Sequence, residues 1–312
     1  MSTRSKINRP KPVKMGLAAA FFAFLAAAQA ERRADITISE NRVFPESITS
    51  AGDGSVYIGS AATGTIYRAA PGSSTAEIWL SAGTTGNSVL GVLADDRRNL
   101  LWVCAPGRSG SPSAIKAFDL ASKAERGSYG FEGGGGCNDM AVAKDGTVYA
   151  SDFDQGRLMR LTRGDTMFRP FVVHVGFKTA DGVALMADGA VYLNTFRENG
   201  LWRVPIGRDG SAGAPVQIQT DLPLVRPDGM RAINGGRALL LMEGGGRLSE
   251  VTVKGDRAFL KVLKDNIPDS PVAVTLVGGT AFLIQAKWSF MRDTNSDPGG
   301  FKAIAVPYSP SK

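Results

Sequence analysis

Four oxygen-bearing side chains recur at the same position of a repeated segment, and they are the residues of this sequence best suited to chemistry. Each lies eight residues before a glycine in a predicted hairpin turn; they are Glu46, Asn138, Asp181 and Asp228. Three carboxylates that converge repel one another, so either their pKa values rise or a cation neutralises them. A donor set made only of oxygens suits Ca²⁺ first and Mg²⁺ or Mn²⁺ next, with Zn²⁺ least favoured because the set holds no Cys or His. The pattern therefore predicts a divalent-cation site formed by these four side chains.

A second interpretation is that these residues only cap strands, since Asp and Asn are common beside turns. Asp53, Asp145 and Asp188, each directly before a turn glycine, are interpreted in that way. Strand capping does not explain why oxygen donors recur at one register, so the cation site is the favoured interpretation.

The repeated segment has the pattern of a small antiparallel sheet, and it occurs six times. Its copies begin, in chain order, at Pro45, Leu90, Cys137, Ala180, Pro227 and Ser270. Aligned on their turns, successive copies are 45, 47, 43, 47 and 43 residues apart, a period typical of propeller blades. A short apolar run, a turn such as Asp-Gly and a β-branched or aromatic run follow one another in the clearer copies, which favours paired antiparallel strands.

We predict an all-β, six-bladed β-propeller whose blades are four-stranded antiparallel sheets. The innermost strands of a propeller line one channel, so residues at the same position of each copy form a ring around it. The last copy lacks a fourth strand after residues 301–306, whereas an extra strand, residues 36–38, precedes the first copy. Pairing of these two strands would close the ring between the chain ends and leave fewer open sheet edges.

Residues 1–30 have the pattern of an export signal: five basic residues, an apolar run from Leu17 to Ala27 and the small-residue cleavage site Ala28-Gln29-Ala30. The apolar run is shorter than the roughly 20 residues that a spanning helix needs, although an uncleaved anchor is an alternative. We therefore expect a periplasmic or secreted protein in which residues 31–312 form a single domain.

The net charge narrows the classes of molecule that this protein is expected to bind. Removal of residues 1–30 takes away five positive and no negative charges, so the formal net charge of +7 falls to 7 − 5 = +2. No basic cluster interleaved with aromatics remains, so we expect a monomer that acts on a small molecule, with neither a nucleic-acid partner nor, after cleavage, a membrane partner.

Cys104 and Cys137 could form a disulfide in an oxidising compartment, but the sequence does not decide whether they do.

The motifs at the recurring position resemble those of the SMP-30/gluconolactonase-like family. They span about residues 36–308 and are Pro45-Glu46, Asn138-Asp139, Asp181-Gly182 and Pro227-Asp228-Gly229. Members of the family are six-bladed propellers that bind a divalent metal in the channel and, in several cases, hydrolyse lactones. The resemblance implies that Glu46, Asp181 and Asp228 are metal ligands and that Asn138 is a ligand or a substrate contact.

This chain departs from the family pattern in three places. The family usually has Asn where Asp181 stands, and Gly-Pro where Ser47-Ile48 follows the glutamate. Gly136 stands where sugar-lactone hydrolases of the family have an arginine, which weakens a sugar-acid lactone as the expected substrate.

We predict a divalent-metal-dependent hydrolase of a lactone or similar small ester, with Asp228 as general base and Asn138 as the group that steadies the substrate oxygen. Glu243 and Lys287 follow second strands that return to the same mouth, and they are candidate substrate contacts together with His174, the only histidine. Solvated loop charges and a structural histidine are the simpler explanations of these three residues. The segment 287–300 could be a lid or a disordered loop. The alternative function is a non-catalytic secreted propeller that binds a ligand or partner and holds a structural metal.

Overall fold

The computed structural model describes Met1 and residues 33–38, 40–107 and 112–310. The predicted export signal, residues 1–30, lies outside the described residues except for Met1. Arg32–Lys312 form one compact unit. No helix among the described residues is long and apolar enough to cross a membrane.

Short strands make up most of this unit, and they follow one another along the chain in groups. The first group is β1 (Ile36–Ile38), β2 (Pro45–Ser50), β3 (Val56–Ser60), β4 (Ile66–Ala69) and β5 (Thr75–Leu80). The second is β6 (Val92–Asp95), β7 (Leu100–Ala105), β8 (Ala114–Asp119) and β9 (Glu125–Gly130). The third is β10 (Cys137–Val142), β11 (Val148–Asp152), β12 (Arg157–Leu161) and β13 (Arg169–Val173), followed by a 3-10 helix (Val175–Phe177).

The second half of the chain continues in the same manner. The fourth group is β14 (Ala180–Leu185), β15 (Val191–Thr195), β16 (Gly200–Val204), β17 (Val216–Gln217) and β18 (Gln219–Thr220). The fifth is β19 (Pro227–Ile233), β20 (Ala238–Glu243), β21 (Arg247–Lys254) and β22 (Arg257–Lys264). The last is β23 (Pro271–Val277), β24 (Thr280–Gln285), the helix α1 (Trp288–Arg292) and β25 (Phe301–Pro307).

Apart from β1 and β18, consecutive strands of a group pair antiparallel, which confirms the prediction of an all-β fold with four-stranded antiparallel sheets. Strand β18 pairs parallel with β22 and so extends the sheet of β19 to β22 to five strands. Strands β6 to β9, β10 to β13 and β14 to β17 each form a separate sheet. The extra strand β1 pairs antiparallel with β25, as Ile36 with Ala303, and parallel with β5, as Thr37 with Thr75. Strands β2 to β5 and β23 to β25 are thereby joined through β1 into one eight-stranded sheet.

The hydrophobic core lies between the faces of neighbouring sheets. One cluster packs Trp102 and Ile115 of the second group against Met140 and Met159 of the third. The first strands approach each other closely at small residues: a Cβ at Gly182 would lie 2.6 Å from the carbonyl oxygen of Asp228, and one at Gly229 would lie 2.7 Å from the Cα atom of Ala273. Glycine at these positions therefore allows the acidic ends of neighbouring first strands to come together.

A disulfide between Cys104 and Cys137 joins β7 to β10, and both cysteines are buried. This answers the question that the sequence left open. The bond fixes the start of β10, the strand that carries Asn138, against the second group of strands. Backbone bonds support the same junction, because the Gly91 amide donates to the Asn138 carbonyl at 2.7 Å.

The segment 287–300 is folded onto the body of the protein. Trp288, Phe290 and Met291 pack against the core formed by β1 to β5 and β23 to β25. The Arg42 guanidinium donates to the Phe290 carbonyl at 2.9 Å. The segment is thus held by a helical turn and a side-chain bond, which argues against the disordered-loop alternative.

Candidate functional site

The four predicted side chains occupy one structural position in four sheets. Glu46, Asn138, Asp181 and Asp228 are each the second residue of a first strand, in β2, β10, β14 and β19. In all four strands the pairing with the second strand shifts register around this residue. Such a bulge bends the strand and redirects the side chain. The repeated local sequence therefore orients all four side chains in the same manner.

These side chains line one small cavity, which we call the acidic cavity. Its walls are Glu46, Ser47, Gly91, Asn138, Asp139, Asp181, Asp228, Gly229, Arg231 and Ala273. Its volume is about 10 Å³, roughly what one water molecule needs. The sequence prediction that residues from four separate repeats meet at one place is confirmed, whereas their role as ligands stays a prediction.

The three predicted carboxylates are nearly inaccessible to solvent: Asp181, Asp228 and Glu46 are 5 %, 6 % and 9 % exposed. Burial is the main cause that raises the pKa of each well above its usual value. Neighbouring carboxylates add to the rise: Asp181 and Asp139 raise the pKa of Glu46, Asp139 that of Asp181, and Asp181 and Glu46 that of Asp228. The cavity thus concentrates negative charge that the protein itself neutralises only in part.

The donor atoms of the acidic cavity fit a hard divalent cation in their chemistry. The carboxylates of Glu46 and Asp181 accept no hydrogen bond from any other described residue, and Asp139 Oδ1 is buried without a partner among those residues. Oxygens of this kind suit Ca²⁺ or Mg²⁺. No group of three or more His, Cys, Asp and Glu side chains within residues 33–38, 40–107 and 112–310 meets in a ready-made metal cluster. The oxygens of the cavity thus match the ligand preference of a hard cation, but the carboxylates are not drawn together as a ready-made metal cluster.

Two charged residues of the cavity, Asp139 and Arg231, were given no role in the site from the sequence. Asp139 Oδ2 accepts from the Val183 amide at 3.2 Å and from Arg231 Nη1 at 2.7 Å. A signal for Arg231 existed, because the residues three positions after the aligned site are small in the other five repeats: Thr49, Ala94, Ala141, Ala184 and Val274. One large cation among five small equivalents marks a side chain that can cross the channel.

Two buried ion pairs anchor the loops that lead into the site. Asp152 and Arg157, 2.6 Å apart, hold the loop before Asn138: Asp152 accepts from the Gly136 amide at 3.0 Å, and Arg157 donates to the Gly134 carbonyl at 2.5 Å. The pair of Glu243 with Arg247, 2.6 Å apart, holds the loop before Asp228 in a similar manner, because Glu243 accepts from the Val225 amide at 2.7 Å. These pairs fix the backbone from which two of the cavity side chains begin.

The three candidate substrate contacts do not line the acidic cavity. Glu243 is 1 % exposed, and its carboxylate is engaged by Arg247 at 2.6 and 2.9 Å and by the Val225 amide at 2.7 Å. Lys287 Nζ donates to the Pro298 and Gly300 carbonyls at 2.7 and 3.1 Å. His174 caps the 3-10 helix, where its Nδ1 accepts from the Gly176 amide at 3.1 Å, and its ring lies 5.0 Å from that of Trp202. In this structure the contacts of all three are structural, and a role in substrate binding stays a prediction.

The raised pKa values predict an unusual pH dependence of stability in the presence of a chelator. A carboxyl whose pKa is higher in the folded than in the unfolded state stabilises the fold below its unfolded value, 3.8 for Asp and 4.5 for Glu, and this contribution is lost as pH rises through the folded value. Carboxyls with lowered pKa, such as Asp53, contribute their full stabilisation above the unfolded value of 3.8, and this contribution is lost only as pH falls below it. We therefore expect the melting temperature in EDTA to fall as pH is raised above about 5. Asp181→Asn removes one of the carboxyls with a raised pKa, so the melting temperature of this variant in EDTA should fall less over the same pH range. A wild-type melting temperature in EDTA that rises with pH would contradict the interpretation.

Taken together, the four-stranded antiparallel sheets and the first strands that converge on one cavity define a β-propeller.

No family model matches the chain, and no curated protein matches it. Solved structures with a similar fold do exist. A gluconolactonase from Xanthomonas campestris is 16 % identical with a TM-score of 0.63, over 85 % of this chain and 87 % of that chain.

Two further structures show how broadly the fold is used. Virginiamycin B lyase from Staphylococcus aureus is 16 % identical with a TM-score of 0.59, over 80 % of each chain. A chain of a nidogen/laminin complex is 17 % identical with a TM-score of 0.57, over 74 % of this chain and 86 % of that chain. At these identities the likeness shows a shared fold. The resemblance to gluconolactonase-like propellers that the motifs indicated is thus supported at the level of the fold.

Proposed function

We propose that this protein is a divalent-metal-dependent hydrolase of a lactone or a similar small ester. The observation that carries the proposal is the meeting of three buried carboxylates and one amide, from four separate sheets, in one small cavity. The fold shared with a gluconolactonase agrees with this function. Glu46, Asn138, Asp181 and Asp228 would hold the cation, which when bound would polarise the substrate carbonyl.

The reaction is the addition of water to the carbonyl carbon of the ester and the cleavage of its C–O bond. Asp228 takes the proton from the attacking water and returns it to the leaving alkoxide oxygen. The Asn138 amide donates a hydrogen bond to the carbonyl oxygen, where negative charge develops in the transition state. Because the acidic cavity has a volume of only about 10 Å³, the lactone ring lies outside it in this proposal, and only the carbonyl oxygen approaches the side chains.

A panel of aliphatic, aromatic and sugar lactones tests the function. We expect turnover of at least one class by the purified protein, loss of turnover in EDTA and recovery with Ca²⁺, Mg²⁺ or Mn²⁺. Turnover that persists in EDTA would contradict the metal dependence. Because Gly136 replaces the arginine of sugar-lactone hydrolases, aliphatic or aromatic lactones are the more promising substrates.

The second candidate function is a secreted binding propeller with a structural cation. A propeller chain of similar fold occurs in the nidogen/laminin complex, which favours a partner-binding role for some proteins of this shape. A rise in melting temperature on addition of Ca²⁺ without hydrolysis of any lactone would support this function, because a ligand that binds only the folded state stabilises it.

We infer six blades in this propeller. The eight-stranded sheet has two first strands, β2 and β23, at its opposite edges and β1 in its middle. It is therefore best described as two blades, with β1 as the outer strand of the last blade and as the closure of the ring. A crystal structure with another blade number, or with β1 unpaired from β25, would contradict this inference.

We also propose that the chain is exported and that residues 31–312 form the mature domain. The buried disulfide between Cys104 and Cys137 supports this proposal, because such bonds persist in oxidising compartments. N-terminal sequencing of the mature protein should begin at Glu31. A protein found only in the reducing cytosol with residues 1–30 intact would contradict it.

A further inference from the structure

Arg231 forms the floor of the acidic cavity. It belongs to β19, three residues after Asp228, and its side chain is 11 % exposed. It lines the acidic cavity and also a second cavity of about 760 Å³ at the opposite ends of the first strands, together with residues such as Ala94, Ala141 and Ala184. Arg231 therefore separates the two cavities.

The guanidinium is bonded to several sheets at once. Nη1 donates to Asp139 Oδ2 at 2.7 Å and to the Met230 carbonyl at 2.8 Å, and Nη2 donates to the Val92 carbonyl at 3.0 Å. Nη2 also lies 3.5 Å from the carbonyl oxygen of Ile48. These partners belong to the first strands β10, β19, β6 and β2. A side chain held in this manner cannot leave the channel without breaking bonds to its own strand and to three other sheets.

The charge of Arg231 is fixed, since an arginine stays protonated in proteins. It faces four carboxylates around the cavity: Glu46, Asp139, Asp181 and Asp228. One cation therefore offsets part of the negative charge, and it lowers the pKa of Glu46 against the larger effect of burial. The same positive charge repels any other cation that enters the cavity.

We propose that Arg231 is a built-in counter-cation that stabilises the acidic cavity in the absence of metal and lowers its affinity for a divalent cation. The inference rests on the cation site of the proposed function. It assigns to Arg231 a role in setting how strongly that site binds, in addition to the ligands themselves.

The test is calorimetric titration of Ca²⁺ into chelator-stripped wild type, Arg231→Met and Arg231→Lys. Methionine keeps much of the length of the side chain without its charge, whereas lysine keeps the charge. We expect Arg231→Met to bind Ca²⁺ at least about tenfold more tightly, equivalent to about 1.4 kcal/mol. Arg231→Lys should bind with nearly the wild-type affinity. In EDTA, Arg231→Met should melt at a lower temperature than wild type and gain more from added Ca²⁺.

A variant of the partner keeps the inference testable if Arg231→Met does not fold in EDTA. Asp139→Asn removes the carboxylate that Arg231 neutralises, so the double variant Asp139→Asn/Arg231→Met leaves less unpaired charge than Arg231→Met alone. If Arg231 lowers the affinity through its charge, this double variant should bind Ca²⁺ more tightly than Asp139→Asn alone. Binding by Arg231→Met that is equal to or weaker than wild type, or binding by Asp139→Asn/Arg231→Met that is no tighter than by Asp139→Asn, would overturn the role of Arg231 and leave the cation site intact. Absence of Ca²⁺ binding in wild type and in every variant would overturn both.

Discussion

Asp228→Asn should lower kcat for lactone hydrolysis by about 10²- to 10⁴-fold, the range that a general base contributes. Asparagine has the same shape and can still accept the hydrogen bond that Asp228 Oδ1 receives from the Gly229 amide at 3.0 Å. The substitution therefore removes the proton acceptor and one negative charge while the bulge at the start of β19 is retained. The measurement is steady-state kinetics on a lactone that wild type hydrolyses, at saturating Ca²⁺ or Mg²⁺.

The matched control is Asp145→Asn, in the hairpin turn of the third group of strands. Asp145 is exposed and accepts a backbone bond from Thr147 at 2.9 Å, so its replacement should leave kcat unchanged. The melting temperature of Asp228→Asn in EDTA should be at least that of wild type, because a buried carboxylate with a raised pKa has been removed. An Asp228→Asn variant that keeps most of the wild-type kcat would refute the general-base role.

Arg157→Met should destabilise the fold by about 3–5 kcal/mol, because it leaves a buried carboxylate without its partner. Asp152 is fully buried and accepts from Arg157 Nε at 2.7 Å and Nη2 at 2.6 Å. Arg157 also donates to the carbonyls of Glu132 and Gly134 at 3.1 and 2.5 Å. Its loss should therefore loosen the loop that precedes Asn138 as well as lower the free energy of unfolding. Urea denaturation followed by tryptophan fluorescence measures the effect.

Two further variants separate the buried charge from the general loss of an arginine. Arg126→Met breaks the exposed pair with Asp119, and it should leave the unfolding midpoint nearly unchanged because exposed ion pairs contribute little. The double variant Asp152→Asn/Arg157→Met also removes the buried carboxylate that Arg157→Met leaves unpaired, so it should recover part of the stability that Arg157→Met loses. If Arg157→Met unfolds at the wild-type urea concentration, the loop before Asn138 is not held by this pair.

The all-β fold and the four oxygen-bearing side chains of the acidic cavity could be predicted because the repeats share one register. Hairpin turns such as Asp145-Gly146 set the alignment, and eight residues earlier the chain has the same bulged conformation in strand after strand. Residues at the same position of different repeats therefore lie in one ring around the channel. The disulfide could not be decided in this way, because Cys104 and Cys137 lie at unequal positions of two repeats and only their distance in space determines whether they bond.

Charged side chains on the loops were harder to interpret. Glu243 ends the second strand β20, and Lys287 follows the end of β24 by two residues. Their contacts are structural, because Glu243 pairs with Arg247 and Lys287 donates to the carbonyls of Pro298 and Gly300. The sequence indicates where such a strand ends. It does not indicate whether the charge at that end meets solvent, substrate or another part of the loop.

The sequence by itself determined the repeating antiparallel unit and the four oxygen-bearing residues at its recurring position, because hairpin chemistry and residue spacing are local properties of the chain. Only the tertiary structure decided that Arg231 crosses the channel to Asp139, 92 residues away in the chain. The length of a side chain and the small residues facing it permit such a contact, but the partner depends on how the sheets are turned around their common axis. That rotation is set by packing between sheets, which no single repeat contains.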